Sequence, residues 1–446
     1  MSKSSFLPLA VAVFLGAAFS VPAQAEERLP DFDQGVSIGS FVKNARKAAA
    51  SNDSILEGKA QSVQAISEDN IVRKIVVFRK GTTGKRRMNV ISATGGIPQK
   101  DLWLVNAVSV VMPKTRLQSF KRSLASFGEV LRVEDDYVQN WLAGAPVVAP
   151  IMPLNRMPDI HPDALKGQVD APEAQEQKTP WGIDRVNTKK AWETTRGGGV
   201  KVAVVDTGID HTHTDLKVIG GFNTIDPEAD FKDDNGHGTH VAGTIAGSDN
   251  GEGVVGVAPD VQLYGVKVLS ASGGGTFADV IEGIQWTVEN KMDIANFSLG
   301  ASRGTPALED AVNAAAAGGV AIIAAAGNSG RSVGFPAAYP GALAVAASDS
   351  SDRVASFSSR GPEVDVIAPG VGVNSTWMGG GYRSISGTSM ATPHVAGLAA
   401  LAVASRGIGG IDAIRKALKE ASSSIGDFPG EQQGAGMPDA GRLVQR

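Results

Sequence analysis

The chain has no cysteine. That excludes disulfides, thiolate metal sites and a thiol nucleophile. Aromatic residues are only 6% of the total, whereas glycine alone numbers 54, so the interior must be built from small aliphatic side chains packed closely, as in a large α/β core. Neither sign of charge prevails. The 42 basic and 46 acidic residues give a formal charge of -4, which points away from nucleic acid or an anionic membrane as the main partner. Long hydrophobic runs are scarce too. Phe6 to Phe19 is too short for an ordinary span. With Lys3 before it and Ala23-Gln24-Ala25 after it, it reads as an export signal, residues 1–25, cut after Ala25. An uncleaved anchor is the alternative. A second run, Ala311 to Ala326, is broken by Gly318-Gly319 and reads as a helix, its C-cap and a buried strand. The expectation is a secreted protein, extracellular or periplasmic in a Gram-negative cell, without stable membrane insertion.

At 446 residues the chain should hold two or three folded units. Residues 26–70 are polar and weakly patterned, so loose order is expected there. Lys74 to Phe78 and Trp103 to Met112 read as strands. Leu117, Phe120, Leu124 and Phe127 recur at helical spacing, and Val130 to Val138 returns to strand. This predicts a small α+β unit over residues 71–142. Lys85-Arg86-Arg87 reads as a solvated loop rather than a nucleic-acid patch, because Gly81 and Gly84 mark a turn beside it. Residues 143–176, rich in Pro and Ala, form a linker. Beyond it, apolar runs (Lys201–Val205, Leu263–Val268, Ile294–Phe297, Val320–Ile323, Ala342–Val345) alternate with predicted helices (His237–Gly247, Phe277–Glu289, Pro306–Ala317, Ser389–Ala404). That order predicts a mostly parallel sheet covered on both faces. Ligands of such sheets sit beyond the carboxyl ends of the strands. Asp206 ends one strand, and Ser298 and Asn328 follow two others, so one crevice can gather them.

The chemistry-bearing stretches are Val204-Val205-Asp206-Thr207-Gly208, His237-Gly238-Thr239-His240 and Gly387-Thr388-Ser389-Met390-Ala391-Thr392-Pro393-His394. A serine hydroxyl needs a base to take its proton and a carboxylate to hold that base, and these stretches supply Asp, His and Ser in that order. Each has a plainer reading: Asp206 a strand-end turn residue, Ser389 a helix N-cap, Asn328 a loop Asn. A metal centre on Asp206 and the histidines is a further alternative, but the helix lacks His-Glu-x-x-His. Ala391 also breaks the Gly-x-Ser-x-Gly elbow of another hydrolase fold.

Four motifs together, Asp206-Thr207-Gly208-Ile209-Asp210, His237 to Gly243, Ala326-Gly327-Asn328 and Gly387 to Gly397, closely resemble the subtilisin-like serine peptidases over about residues 177–446. The resemblance implies a subtilisin-like three-layer α/β domain. It implies Ser389 as nucleophile, His237 as general base and then acid, Asp206 as orienting carboxylate, and Asn328 with the Ser389 N–H as the oxyanion donors. His240 and His394 would be structural.

Ser298-Leu299-Gly300 and Gly273-Gly274-Gly275 match the family's substrate-binding edges. Ala325, Ala326 and Gly327 would line the primary pocket with Gly334 at its base, implying a preference for large apolar residues at the cleaved position. Phe277 and Val280 would shape a second apolar pocket. A structural calcium would be held by Gln177, Asp215 and Asn250 side chains and the carbonyls of Ser248, Glu252 and Val254. Residues 71–142 resemble the family's small α+β, ferredoxin-like prodomain at Val133-Glu134-Asp135-Asp136-Tyr137-Val138, implying a folding aid and intramolecular inhibitor. The maturation cut would fall between Leu142 and about Gln177. The expected protein is thus a secreted monomeric serine endopeptidase made as a zymogen, acting on proteins and peptides. A catalytically silent binding scaffold and a zinc hydrolase are its rivals.

Overall fold

A computed structural model describes residues 70–142 and 176–445, all of them within one compact unit. The expected signal segment, the polar stretch before residue 70 and most of the linker lie outside the described residues.

The N-terminal part is a four-stranded antiparallel sheet of β1 (Ile71–Phe78), β2 (Ile97–Leu102), β3 (Ala107–Pro113) and β4 (Val130–Asp135), in the order β2-β3-β1-β4. Helices α1 (Gly84–Ala93) and α2 (Leu117–Leu124) accompany it. Side chains alternate along a strand, and here both faces are covered. Val76 and Phe78 of β1 join Val90, Ile91, Phe120 and Leu124 in a small core. Ile75 and Val77 face the other way and belong to the large core of the molecule. This explains the unbroken apolar run at the end of β1.

Two expectations fail here. Lys85-Arg86-Arg87 lie in α1, not in a loop. Thr83 caps that helix by accepting from the Arg86 N–H at 3.3 Å. The buried Arg87 lays its stem over the sheet while its guanidinium reaches Asp101 at 2.6 Å. Trp103–Val105 form a 3₁₀ turn, so the strand starts only at Ala107. The polar β2, with Pro98 in it, was not expected at all. It is an edge strand of its sheet, where Pro and polar residues are tolerated.

The larger part is a seven-stranded parallel sheet of β6 (Lys201–Asp206), β7 (Val218–Asn223), β8 (Gln262–Lys267), β10 (Ile294–Phe297), β11 (Ala321–Ala325), β12 (Ala342–Ser348) and β13 (Val364–Pro369). Its order is β13-β12-β11-β10-β6-β8-β7. Helices α3 (His237–Ala246), α4 (Phe277–Glu289), α5 (Pro306–Ala317) and α6 (Thr388–Arg406) cover it. From β6 the chain runs to β7 at the sheet edge and back to β8 on one side, and later reaches β10 on the other. The order therefore reverses at β6, and such a reversal opens a crevice at the carboxyl ends. No single described helix is long and apolar enough to cross a membrane.

After β4 the chain enters this crevice. Strand β5 (Val138–Asn140) pairs antiparallel with β9 (Gly274–Thr276). The Trp141 N–H donates to Gly273 O at 3.0 Å, and Gly300 N–H donates to Trp141 O at 3.0 Å. The Trp141 ring is buried edge-on to Phe277, centroids 4.9 Å apart, and its Nε1–H donates to Gly275 O at 3.0 Å. Upstream, Asp136 and Glu134 accept from the Ala278 and Ala307 N–H groups at 3.0 and 3.1 Å, at the starts of α4 and α5, where a carboxylate is favoured by the helix dipole. Lys100 bridges to Asp279 at 3.0 Å and to Glu282. Losing a buried Trp side chain costs about 3–5 kcal/mol. Trp141→Ala should therefore speed hydrogen exchange of the 138–140 and 274–276 amides by more than about tenfold. Unchanged protection would mean the ring does not anchor this pairing.

Candidate active site

Asp206 is the last residue of β6 and is fully buried. Its Oδ1 accepts from Thr207 N–H at 2.7 Å and from His237 Nδ1–H at 2.8 Å. His237 opens α3. The two meet because glycines let their segments touch. A Cβ on Gly238 would lie 2.0 Å from Gly208 O, and one on Gly208, at φ 102°, 2.3 Å from Phe231 O. With Nδ1 protonated and engaged, the acceptor is Nε2, which is buried and has no hydrogen-bond partner among the described residues. Desolvation is the largest influence on this imidazole and lowers its pKa. The Asp206 charge and hydrogen bond, with a smaller contribution from Asp233, outweigh it and hold the pKa above the ordinary 6.5.

Ser389 is the second residue of α6, so its hydroxyl is not the N-cap; Gly387 holds that position. The hydroxyl donates to Ser298 O at 3.0 Å, and the Ser298 hydroxyl donates to Ser389 O at 2.7 Å. The second bond has a cause in the sequence. Pro393 lies inside α6 and has no N–H to offer the carbonyl four residues back, which is that of Ser389. Ser298 supplies the missing donor. Asn328, in the loop after β11, has its amide orientation fixed: Oδ1 accepts from the Thr388 N–H and hydroxyl, both at 2.9 Å. Its Nδ2 is thereby turned toward Gly387. A Cβ there would lie 3.5 Å from Asn328 Nδ2 and 3.6 Å from Ser389 N. Glycine leaves the space facing these two donors open, and first-turn N–H groups have no intrahelical acceptor.

The other histidines of the motifs are held elsewhere. His240 Nε2 lies 3.0 Å from the Val373 and Arg383 carbonyls, and burial lowers its pKa to about 3. His394 Nδ1 lies 2.8 Å from Met390 O, and burial lowers its pKa to about 4. Both are neutral at ordinary pH.

The expected binding edges flank the chain segment already described: Gly273 to Gly275 pair with residues 139–141, and Gly300 meets Trp141 from the opposite side. Ser298 and Leu299 are buried beneath that edge. Phe277 packs on Trp141, and Val280 is fully buried one turn on. Gly334 N–H donates to Ala326 O at 2.9 Å, which brings Gly334 beside Ala325, Ala326 and Gly327. Sequence reasoning missed Trp141 and Thr388. The first was hidden because its partners are over 130 residues away; the second stood next to Ser389 but its role is visible only through Asn328.

The residues expected to hold calcium also converge. Asp215 is buried, with Oδ2 accepting from Val254 N–H at 2.9 Å and Oδ1 from Asn250 Nδ2 at 3.2 Å. Gln177 Nε2 donates to Ser248 O at 3.0 Å, and its Oε1 accepts from Gly251 N–H at 3.0 Å. Asn250 Oδ1 accepts from Glu252 N–H at 2.9 Å. Burial raises the Asp215 pKa to about 6, and among the described residues no Lys or Arg pairs with it. No group of three or more His, Cys, Asp or Glu among the described residues is arranged to hold a metal, so a cation here would rest mainly on amide and carbonyl oxygens. A buried carboxylate without a basic partner, bonded to the 248–254 loop, fits calcium, which takes carboxylate, amide and carbonyl oxygens.

Comparison with known proteins agrees with the motifs. The model of the Subtilase family matches residues 197–437. Alkaline elastase YaB of Bacillus sp. (strain YaB) is 50% identical over 273 residues, 61% of this chain and 71% of that protein. Subtilisin DY of Bacillus licheniformis is 47% identical over 257 residues, 56% of this chain and 94% of that protein. Subtilisin E of Bacillus subtilis (strain 168) is 39% identical over 351 residues, 76% of this chain and 82% of that protein.

The electrostatics make a direct prediction for NMR of histidine-labelled protein. The His237 imidazole should titrate above 6.5, whereas His240 and His394 stay neutral above about pH 4. A His237 midpoint at or below 6.5 would mean that Asp206 does not govern it.

Proposed function

Because the chain belongs to the subtilase family and is a serine endopeptidase, we propose that Ser389, His237 and Asp206 are its triad and Asn328 its oxyanion donor. The observation that carries this is the buried Asp206–His237 contact at 2.8 Å, which leaves Nε2 as the free acceptor at the start of α3, a helix packed against the α6 that carries Ser389. Asp206 fixes the tautomer and stabilises the imidazolium. His237 Nε2 takes the Ser389 proton as Oγ attacks the scissile carbonyl, then returns it to the leaving amine. Water repeats the sequence on the acyl-enzyme. The O⁻ of each tetrahedral intermediate is received by Asn328 Nδ2 and the Ser389 N–H, donors already oriented before reaction. In the resting state the Ser389 hydroxyl is held by Ser298 O. An extended substrate pairing with that edge offers its own N–H to this carbonyl, releasing the hydroxyl to His237. Catalytic hydrogen bonds commonly tighten only when substrate is bound.

Substrate choice follows from the same crevice. Ala325, Ala326, Gly327 and Gly334 bring no charge and little bulk, which favours a large apolar residue at the cleaved position. Phe277 and Val280 offer a second apolar contact. The Val138–Asn140 strand and the Trp141 that follows it occupy the edges a peptide would need, which supports residues 71–142 as an inhibitory prodomain and the protein as a zymogen. The 351-residue match to subtilisin E is longer than residues 177–446 can contain, so it reaches into this upstream part. With the N-terminal pattern, this favours a secreted enzyme. N-terminal sequencing of the processed form should find a start between residues 143 and about 177, and a peptide library should be cut after large apolar residues. A mature form retaining residues 71–142 would sink the zymogen reading.

Ser389→Ala in the processed enzyme should abolish turnover of a chromogenic peptide. Asn328→Ala should lower kcat about 10²–10³-fold, a magnitude carried over from loss of one oxyanion-hole donor in a subtilisin, while labelling by a serine-directed phosphonate persists. Turnover by Ser389→Ala would refute the assignment.

Calcium, when bound, would supply a counter-charge for Asp215 and hold the 248–254 loop. Gln177, Asp215, Asn250 and the carbonyls of Ser248, Glu252 and Val254 are the residues proposed to carry it. Without a cation, a carboxyl whose pKa is raised to about 6 destabilises the folded state as pH climbs from its ordinary 3.8 through 6, and fully above that. Chelation should therefore lower Tm more at pH 8 than at pH 5, and Asp215→Asn should reduce the difference. An equal effect of chelator at both pH values would count against the site.

A further inference from the structure

Helix α3 begins without a cap of its own. Its N-cap is Gly236, at φ 102°. A side chain is barred there, since a Cβ would meet the Trp377 ring at 2.4 Å. The first N–H groups of a helix still need acceptors, and here they belong to the turn that carries His237. Side chains from outside the helix supply them. His237 N–H donates to Asn235 Oδ1 at 3.2 Å, Gly238 N–H to Thr207 Oγ1 at 2.9 Å, and Thr239 N–H to Asp233 Oδ2 at 2.9 Å. Asp233 also accepts from the Thr239 hydroxyl at 2.6 Å, the Thr207 hydroxyl at 2.8 Å, and the N–H groups of Asn235 and Gly236 at 2.9 and 3.0 Å. A single carboxylate, 5% exposed, thus takes hydrogen bonds from both sides of the Asp206–His237 contact.

We propose that Asp233 is a positioning residue for the triad: it locks Thr207, the neighbour of Asp206, and the first turn of α3 into one frame, and so sets His237 Nδ1 against the Asp206 carboxylate. The inference rests on the triad reading above. Asp233 touches neither substrate nor the reacting atoms. Its influence on His237 is exerted through the backbone and through its charge, which favours the imidazolium. Other charged or titratable groups around this frame are Asp206 on β6, Lys267 on β8, Asp234, and Asp210, whose N–H donates to the Thr239 hydroxyl at 2.9 Å and whose carboxylate pairs with Lys232 at 3.2 Å. The Lys267 ammonium binds Thr207 O at 2.7 Å, Leu269 O at 2.8 Å and Asp234 at 2.6 Å. The neutral His240 lies on α3 and the neutral His394 on α6.

Asp233→Asn in the processed enzyme tests this, because it keeps the side chain's size and removes its charge and one acceptor. The expected result is a kcat lower by about 10²-fold, the scale of a small misplacement of a catalytic group, with KM little changed. The acid limb of kcat should move to lower pH, since an anion favouring the imidazolium is gone. Thr207→Val removes both the hydroxyl that donates to Asp233 and the acceptor of the Gly238 N–H, so it cuts the frame between the Asp206 segment and α3. It should also lower kcat, whereas Thr207→Ser should keep it. If Asp233→Asn does not fold, that pair decides. Wild-type kcat and an unmoved acid limb in folded Asp233→Asn would overturn the proposal, as would equal kcat for Thr207→Val and Thr207→Ser. A lowered Tm with unaltered kcat would overturn it too. Ser389→Ala, assayed alongside, separates the two ideas. If it is inactive while Asp233→Asn behaves as wild type, only the positioning role falls.

Discussion

The contact between the buried Asp206 carboxylate and His237 Nδ1 organises this protein. It needs the start of a helix to press against the loop leaving a central strand, closer than side chains allow. Gly208 and Gly238 grant that approach: a methyl group at Gly238 would penetrate the Gly208 carbonyl at 2.0 Å. Once the backbones touch, a charge is committed to the interior. A buried carboxylate is costly unless it is paired or hydrogen-bonded; Asp206 Oδ1 has both Thr207 N–H and His237, while its Oδ2 has no hydrogen-bond partner among the described residues. Desolvation of the imidazole is outweighed by the Asp206 charge and hydrogen bond, with a smaller contribution from Asp233.

The rest of the site is arranged by similar backbone needs. Pro393 deprives the Ser389 carbonyl of its helix partner, and Ser298 answers from the end of β10. Thr388 holds the Asn328 oxygen so that its amide hydrogens face the crevice. Each proposed catalytic group is therefore aimed by a neighbour with a structural reason to be there. That is how a site is kept within the small tolerance that orientation demands.

The sequence made much of this legible. The parallel sheet and its helices followed from apolar runs alternating with helical periods, and α4 and α5 match their predicted bounds. Asp206, His237, Ser389 and Asn328 stood out through several motifs together. The failures have physical causes. Helix α1 shows little apolar periodicity because Arg87 buries its stem and pairs with Asp101. Strand β2 is polar because it is an edge. Asp233 was passed over because an Asp four residues before a helix looks like any loop residue until the groups that donate to it are counted.

Local pattern thus determined the elements, the chemistry available and the end of the sheet where it would sit, since periodicity and glycine punctuation act over a few residues. Tertiary structure alone decided what depends on distant partners. It set which carboxylate caps α3, where the Ser389 hydroxyl rests, and how Trp141 fills the crevice against Phe277. Those outcomes turn on distances of a few tenths of an ångström between segments far apart in the chain, and no short stretch of sequence contains them.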